Sequence, residues 1–338
     1  MNISSSIRII DTHTAGQATR IIIGGIPALK GKSMMEKKHY LSENYDYIRS
    51  STMLEPRGHA DMFGALLTEP VNMDADMGVI FLDGVGYLNM CGHGTIGVAT
   101  ALVETGMVKI TEPYTNITLD TPAGLVKVLV KVEDNRAKEV SFVNVPAFLY
   151  KKDLKVDVPD IGEVTLDVAF GGSFFAIVRD KELGIEISTT NLERNIPIAV
   201  KLLRYLEANV KVQHPIIKDI NKIELVEIYG QPKSSDADVQ NMVVLGEGEV
   251  DRSPCGTGTC AKMAALHARG ELKVGEEFVH ESVLKTKFKG KIMEETKVSD
   301  YDAIIPNIAG RAHITGFNNI VIDEEDPLKY GFCIRKKD

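Results

Sequence analysis

Cys91-Gly92-His93-Gly94-Thr95 and Cys255-Gly256-Thr257-Gly258-Thr259 are two versions of one phrase. Each precedes a helix-like run, Ile96 to Thr105 and Cys260 to Arg269, and each run closes on a glycine at the same offset, Gly106 and Gly270. The windows share the Cys, both Gly, the Thr, an Ala-Leu pair (Ala101-Leu102 and Ala265-Leu266) and the closing Gly, so the chain carries an internal duplication. That duplication decides the fold class. It predicts an α+β protein of two pseudo-symmetric lobes, each a curved sheet or barrel around one central helix, with Cys91 and Cys255 at the helix N-termini and the glycines forming the turns.

Outward from the repeats the chain reads mostly as short strands rich in Val, Ile and Phe, separated by Gly, Pro and Asp/Asn turns. Examples are Ile7 to Asp11, Thr19 to Ile23, Met77 to Leu82 and Gly124 to Val132 in the first half. Phe174 to Val178, Leu225 to Tyr229, Asn241 to Leu245 and His313 to Ile322 follow in the second. Amphipathic helices are expected at Met34 to Tyr45 and Asn191 to Glu207. Strands and helices do not alternate regularly, which fits a doubly wound nucleotide-binding sheet poorly. The expected lobes are residues 1–155, carrying Cys91, and 156–338, carrying Cys255, with the C-terminal segment able to return to the first lobe. Tyr150 to Val158, with Lys151, Lys152 and Asp153, is the expected linker.

Composition narrows the function. A chain of 338 residues with 44% hydrophobic content can bury a sizeable core and is long enough for two domains. Its 39 basic and 47 acidic side chains give a formal charge of −8, with no Lys/Arg block to follow a phosphate backbone, so nucleic acid is not an expected partner. No stretch is apolar for long enough to span a bilayer, and the N-terminus lacks a secretory pattern, so a cytoplasmic protein without a membrane partner is expected. Cys91, Cys255, Cys260 and Cys333 are too few and too far apart for a disulfide scaffold and include no Cys-x-x-Cys pair, so reduced thiols and no metal are expected.

A thiol at the start of a helix is placed where backbone N–H groups and the helix dipole lower its pKa and hold an anion. If the two helix ends converge, a small carboxylate would be held by the N–H groups of Gly92, His93, Gly256, Thr257 and their neighbours Gly94 and Gly258. Its α-carbon would lie between two sulfurs. One Cys, as thiolate, would then remove the α-proton while the other, as thiol, returns a proton to the opposite face, inverting the centre. The N–H groups would stabilise the charge that grows on the carboxylate, so no metal or pyridoxal sink is required. For either copy alone a packed turn with an inert thiol is the more ordinary reading; the repetition favours the paired one. Neither copy has the spacing or the Lys of a phosphate-binding loop. Cys260 reads as a small buried hydrophobe and Cys333 as incidental. Asp251 and His93 read either as turn and packing residues or as partners of a substrate ammonium. A protein that binds a small amino acid without catalysis, and a redox role for the thiols, are the readings from other classes.

Met90-Cys91-Gly92-His93-Gly94 together with Asp251-Arg252-Ser253-Pro254-Cys255-Gly256-Thr257-Gly258-Thr259 resembles the proline racemase family. The match extends through Asp11-Thr12-His13-Thr14-Ala15-Gly16, Met53-Leu54-Glu55-Pro56-Arg57-Gly58-His59, Gly171-Gly172-Ser173-Phe174-Phe175 and Ile314-Thr315-Gly316-Phe317-Asn318. The resemblance implies a cofactor-independent racemase or epimerase with the diaminopimelate-epimerase-like fold, usually a homodimer, acting on proline or 4-hydroxyproline through two cysteines. By motif position these are Cys91 and Cys255. The family's ammonium-binding positions fall on Asp251 and His93, and a ring-packing aromatic falls on Phe63. A Thr in place of the second Cys marks the trans-3-hydroxyproline dehydratases, so Cys255 argues against that activity. The second ring-packing position, usually Phe in proline racemases, falls on Leu245, which leaves the site less aromatic. Cys260 stands where Ser is more usual, which implies greater sensitivity to oxidation. Interconversion of L- and D-proline is the activity expected, with 4-hydroxyproline 2-epimerisation next.

Overall fold

The computed structural model describes residues 3–218 and 220–334. The chain folds as two compact units: one runs to Phe142 and resumes at Arg311, and the other is Val143–Gly310. The expected linker Tyr150 to Val158 is instead most of a strand, Ala147–Val158, hydrogen-bonded along its length to Gly162–Phe170. Lys152, Asp153, Lys155 and Asp157 fall on exposed positions of that strand, which gives it the look of a linker in sequence.

In the first unit the strands follow the order Ala312–Asp323, Ile3–Thr14, Gln17–Gly24, Phe63–Thr68, Met77–Asp83, Tyr114–Thr121, Gly124–Glu133, Arg136–Val143. Neighbours are antiparallel except at two joints: Gln17–Gly24 beside Phe63–Thr68, and Met77–Asp83 beside Tyr114–Thr121. The C-terminal segment therefore supplies this unit's first strand. Two helices, α1 (Met34–Asn44) and α2 (Tyr47–Met53), cross over at the first parallel joint; α3 (Gly92–Glu104) crosses at the second. Ser33 caps α1 by accepting from the Glu36 N–H at 3.1 Å, while the Glu36 carboxylate reaches back to the Lys32 N–H.

The second unit repeats this order. Ala147–Val158, Gly162–Phe170, Phe174–Arg179, Ile223–Gly230, Val239–Leu245, Glu277–Glu281, Lys287–Val298 and Tyr301–Gly310 are antiparallel neighbours except where the third joins the fourth and the fifth joins the sixth, both parallel. Tyr301–Gly310 pairs back onto Ala147–Val158, so these eight strands close into a barrel. The crossovers at the parallel joints are α4 (Leu192–Asn209) and α5 (Gly256–Ala268).

Each unit thus has a central helix on the inner face of its sheet and outer helices on the other face. The sequence of the strands shows the reason: Phe174 to Val178 is apolar without alternation because both faces are covered. Phe174, Ala176 and Val178 join the cluster with Leu202, Leu203 and Leu206 of α4, while Phe175 and Ile177 pack with Ala261 and Ala265 of α5. In the first unit Ile80 and Leu82 face Leu41, Ile48 and Met53 of the outer helices. Among the described residues, no helix is long and apolar enough to cross a membrane.

Candidate active site

Both repeat helices begin earlier than the sequence suggests. The glycines expected to form a turn are the first helical residues, Gly92 and Gly256, and each cysteine is the N-cap. Both helices end identically. Gly106 (φ +69) and Gly270 (φ +75) take the left-handed conformation after the C-cap. The Met107 and Glu271 N–H groups then donate to Leu102 and Leu266 carbonyls, and the Gly106 and Gly270 N–H groups to Val103 and His267. A side chain at either glycine would be strained in this cap. The residues between are almost wholly buried, so the N-terminal N–H groups open into protein interior rather than bulk water.

In the first unit Cys91 is 7% exposed and its backbone is extended, φ −144 and ψ 121. Its sulfur lies 3.5 Å from Nδ1 and 3.6 Å from Nε2 of His93. The Thr14 hydroxyl donates to the His93 carbonyl at 2.8 Å, tying the motif Asp11 to Gly16 to the start of α3. Phe63 stands edge-on to the His93 ring, centroids 4.8 Å apart. Gly94 has no room for a side chain: a Cβ there would sit 2.9 Å from the Phe81 ring and 3.2 Å from the Cys91 sulfur. Cys91, His93, Gly92, Gly94 and Phe63 therefore form one cluster in the first unit.

In the second unit Cys255 is 6% exposed, but its backbone has φ +62 and ψ 112. For a non-glycine residue that conformation costs on the order of 1–3 kcal/mol. The surrounding hydrogen bonds hold it. The Gly258 N–H donates to the sulfur at 3.4 Å, and the Thr257 hydroxyl is 3.6 Å away. Asp251 Oδ1 accepts from both the N–H and the hydroxyl of Ser253, whose Oγ in turn accepts from the Cys255 N–H. The Asn241 amide donates to the Pro254 carbonyl at 2.8 Å. Leu245 is partly buried in the hairpin that leads to Asp251, paired in register with Leu225.

The electrostatics of this turn differ from the simplest expectation that helix N-termini lower the thiols. Burial pushes the Cys255 thiol well up, and the Asp251 carboxylate adds to it; the Gly258 and Thr257 hydrogen bonds pull the other way without overcoming them. Cys255 is held as the protonated thiol at neutral pH.

The expected oxidation sensitivity of Cys260 is not what its setting gives. It is 0% exposed, it accepts from the Asn144 amide at 3.2 Å, and burial pushes its thiol up to about 12. An inaccessible, protonated sulfur is the inert kind. Asn144 also donates to the Gly171 carbonyl, so the Gly171-Gly172 motif packs on α5 and serves its placement. Similarly, Met53 to His59 ties the tail to the first unit through Arg57, which donates to Lys329 and Asp326.

Sequence reading missed a polar group under α5. Glu227 and His280 are 0% exposed and Lys262 4% exposed. A Cβ at Gly258 would fall 2.5 Å from Glu227 Oε2, so this carboxyl group lies directly against the turn that holds the Cys255 sulfur. The available signal was a glutamate inside an apolar strand, Leu225-Val226-Glu227-Ile228-Tyr229, whose both faces are covered.

Each unit thus carries a buried central helix that is N-capped by a cysteine. The proline racemase family model matches residues 9–333, and the chain belongs to that family. A proline racemase of Clostridioides difficile is 57% identical over 99% of this chain and 100% of its own length. Among solved structures, a probable proline racemase from Agrobacterium radiobacter K84 with bound carbonate superposes with a TM-score of 0.88 at 34% identity, covering 97% of this chain and 96% of that one. A hydroxyproline epimerase from Agrobacterium vitis with bound trans-4-hydroxy-L-proline gives a TM-score of 0.88 at 32% identity, covering 99% and 97%.

Proposed function

We propose that the protein interconverts L- and D-proline without a cofactor, using Cys91 and Cys255 as a pair of acid–base groups on one α-carbon. The observation that carries the reading is the repetition of a cysteine N-cap on a buried central helix in both units of a chain with a 57% identical proline racemase relative. With Cys255 held as thiol, Cys91 is the base for the enantiomer that turns its α-hydrogen toward it, and Cys255 returns a proton to the opposite face. The first-turn N–H groups of Gly92, His93, Gly94, Gly256, Thr257 and Gly258 take the substrate carboxylate, whose charge rises as the proton leaves. After one inversion the proton has moved from Cys255 to Cys91, so the product state is poised for the reverse reaction and must exchange a proton to reset. Asp251, with one oxygen already committed to Ser253, offers the other to the substrate ammonium, and His93 stands by the same group. Phe63 and Leu245 pack the ring. The reading includes a cytoplasmic homodimer, as the family resemblance implies.

Leu245 in place of a ring-packing Phe is the feature that favours the second reading, 2-epimerisation of 4-hydroxyproline, because a smaller side chain leaves room for a ring substituent. Polarimetry with L-proline and with trans-4-hydroxy-L-proline separates the two; the proline reading fails if hydroxyproline turns over far faster. Run in deuterated water, the same assay incorporates deuterium at the α-carbon only if the protein is an enzyme rather than a binder.

A further inference from the structure

The Thr259 hydroxyl lies 2.7 Å from the carbonyl of Cys255 and 3.0 Å from Nδ1 of His280. A carbonyl only accepts, so the hydroxyl proton points to Cys255, and Thr259 must accept from His280. Nδ1 of His280 therefore carries a hydrogen. On its far side Nε2 faces Glu227 Oε1 at 3.7 Å, a few tenths of an ångström beyond hydrogen-bond reach, and neither atom has a hydrogen-bond partner among the described residues. Two bare acceptors buried face to face would each cost on the order of 1–3 kcal/mol. One proton between them, with the two atoms drawn together to hydrogen-bond distance, removes both costs. We propose that Glu227, as the carboxylic acid, donates that proton to neutral His280, and that the chain Glu227–His280–Thr259 positions the Cys255 turn for its acid–base role.

The other groups around Glu227 agree. Val243 lies opposite it in the sheet, Gly258 presses on Oε2, and Lys262 of α5 approaches from the helix side with its Nζ 3.1 Å from the Tyr229 ring centre. Burial pushes Glu227 up and His280 down, toward the two neutral forms. Lys262 is also lowered by burial, although Glu227 pulls it the other way. Around the sulfur itself the charged and polar neighbours are Asp251, Thr257, the Gly258 N–H and Glu227. A carboxylic acid rather than a carboxylate beneath Gly258 keeps one negative charge away from the sulfur that must become anionic in half of each cycle. The turn it braces is the strained one, and the network reaches the carbonyl of the strained residue.

The inference rests on the acid–base role proposed for Cys255, but its tests do not all need turnover. Selective ¹⁵N labelling of histidine should show the His280 ring neutral, protonated at Nδ1, and unchanged from about pH 5 to 7, across the range where an ordinary imidazole titrates and below the value of about 8 to which burial raises Glu227; a doubly protonated or Nε2–H ring overturns the proposal. E227L leaves Nε2 unpaired and should lower kcat about a hundredfold with little change in KM, the cost of a misplaced catalytic group, whereas E227Q supplies an N–H donor and should stay within about tenfold. Iodoacetamide labelling of Cys255, read by peptide mass spectrometry in a Cys91→Ser background, should shift to higher pH in E227L and H280L and follow the parent profile in E227Q. If E227Q falls as far as E227L, or if both leucine variants label on the parent profile, the network does not set this thiol. Should the leucine variants fail to fold by circular dichroism, the histidine spectra of the parent protein decide. Absence of proline turnover in the parent would count against the racemase reading, not against these spectra.

Discussion

The two thiol turns stand on the same frame and on different foundations. Under Cys91 three corresponding places are apolar: Phe81 lies beneath Gly94, Ala65 is its partner across the strands, and Val98 occupies the seventh position after the cysteine. Under Cys255 the corresponding places carry Glu227 opposite Val243, and Lys262 at the seventh position. Cys91 has ordinary extended backbone; Cys255 is strained at φ +62. The first unit shows that this frame closes over an N-capping cysteine with apolar residues at the places of Glu227 and Lys262. Burying them costs several kcal/mol unless they are paired. The polar foundation in the second unit is therefore not a requirement of the fold, and its expense points to the chemistry of the thiol above it.

The sharpest way to break the comparison is to remove each sulfur. C91S and C255S should each lower proline racemisation by at least about 10³-fold, since a hydroxyl at a Cys position neither ionises nor donates as readily in an acid–base step. The fold should survive both changes, because each is an atom-for-atom exchange at a helix cap; circular dichroism checks this. The variants should differ in solvent exchange. If one thiol can still abstract a proton without its partner, one enantiomer will exchange its α-hydrogen for deuterium while its configuration is kept. Full racemase activity in either variant removes that residue from the mechanism.

A smaller effect distinguishes the foundations themselves. Thr95 and Thr259 hold equivalent positions four residues after each cysteine. The Thr95 hydroxyl is buried with no hydrogen-bond partner among the described residues, whereas Thr259 joins His280 to the Cys255 carbonyl. T95V should be neutral or slightly stabilising in urea denaturation. T259V strands a buried histidine N–H and should cost about 1–3 kcal/mol. Equal effects at the two sites would mean that the network contributes nothing the apolar version lacks.

How much of this is legible in the sequence follows from the same contrast. The duplicated phrase exposes both helices, both caps and both thiols, because caps and glycines are local and repeat with the fold. The family motifs point to His93, Phe63, Asp251 and Leu245 as companions of those thiols. What escapes depends on distant pairing. Ala147–Val158 reads as a charged linker because its lysines and Asp153 fall in sequence between apolar residues whose partners lie elsewhere in the chain. The helical onset at Gly92 and Gly256 is hidden by the low helix propensity of glycine, which tertiary packing overrides where a side chain two residues on would strike Phe81 or Glu227. Glu227, His280 and Lys262 lie far apart in sequence and only the barrel assembles them.

The smallest effect concerns Cys260, whose counterpart in the first unit is Ile96. Its thiol is raised to about 12 in the folded protein, while a cysteine in the unfolded chain titrates near about 8.5. A group raised on folding stabilises the native state fully below the unfolded value and loses that contribution as pH climbs toward the folded one, because the unfolded chain gains by releasing the proton first. Stability should therefore decline above about pH 8.5, and the Cys260 share of the decline should reach roughly 1–2 kcal/mol by about pH 10. C260S removes a titrating group while keeping an acceptor for the Asn144 amide. Its stability, measured by urea unfolding, should match the parent near neutral pH and exceed it increasingly in alkaline buffer. Cys255 contributes the same slope to both proteins and cancels in the difference. Parallel curves for the two proteins would show that the sulfur beneath α5 ionises as easily folded as unfolded, and the picture of a dry, inert thiol beside a reactive one would have to be abandoned.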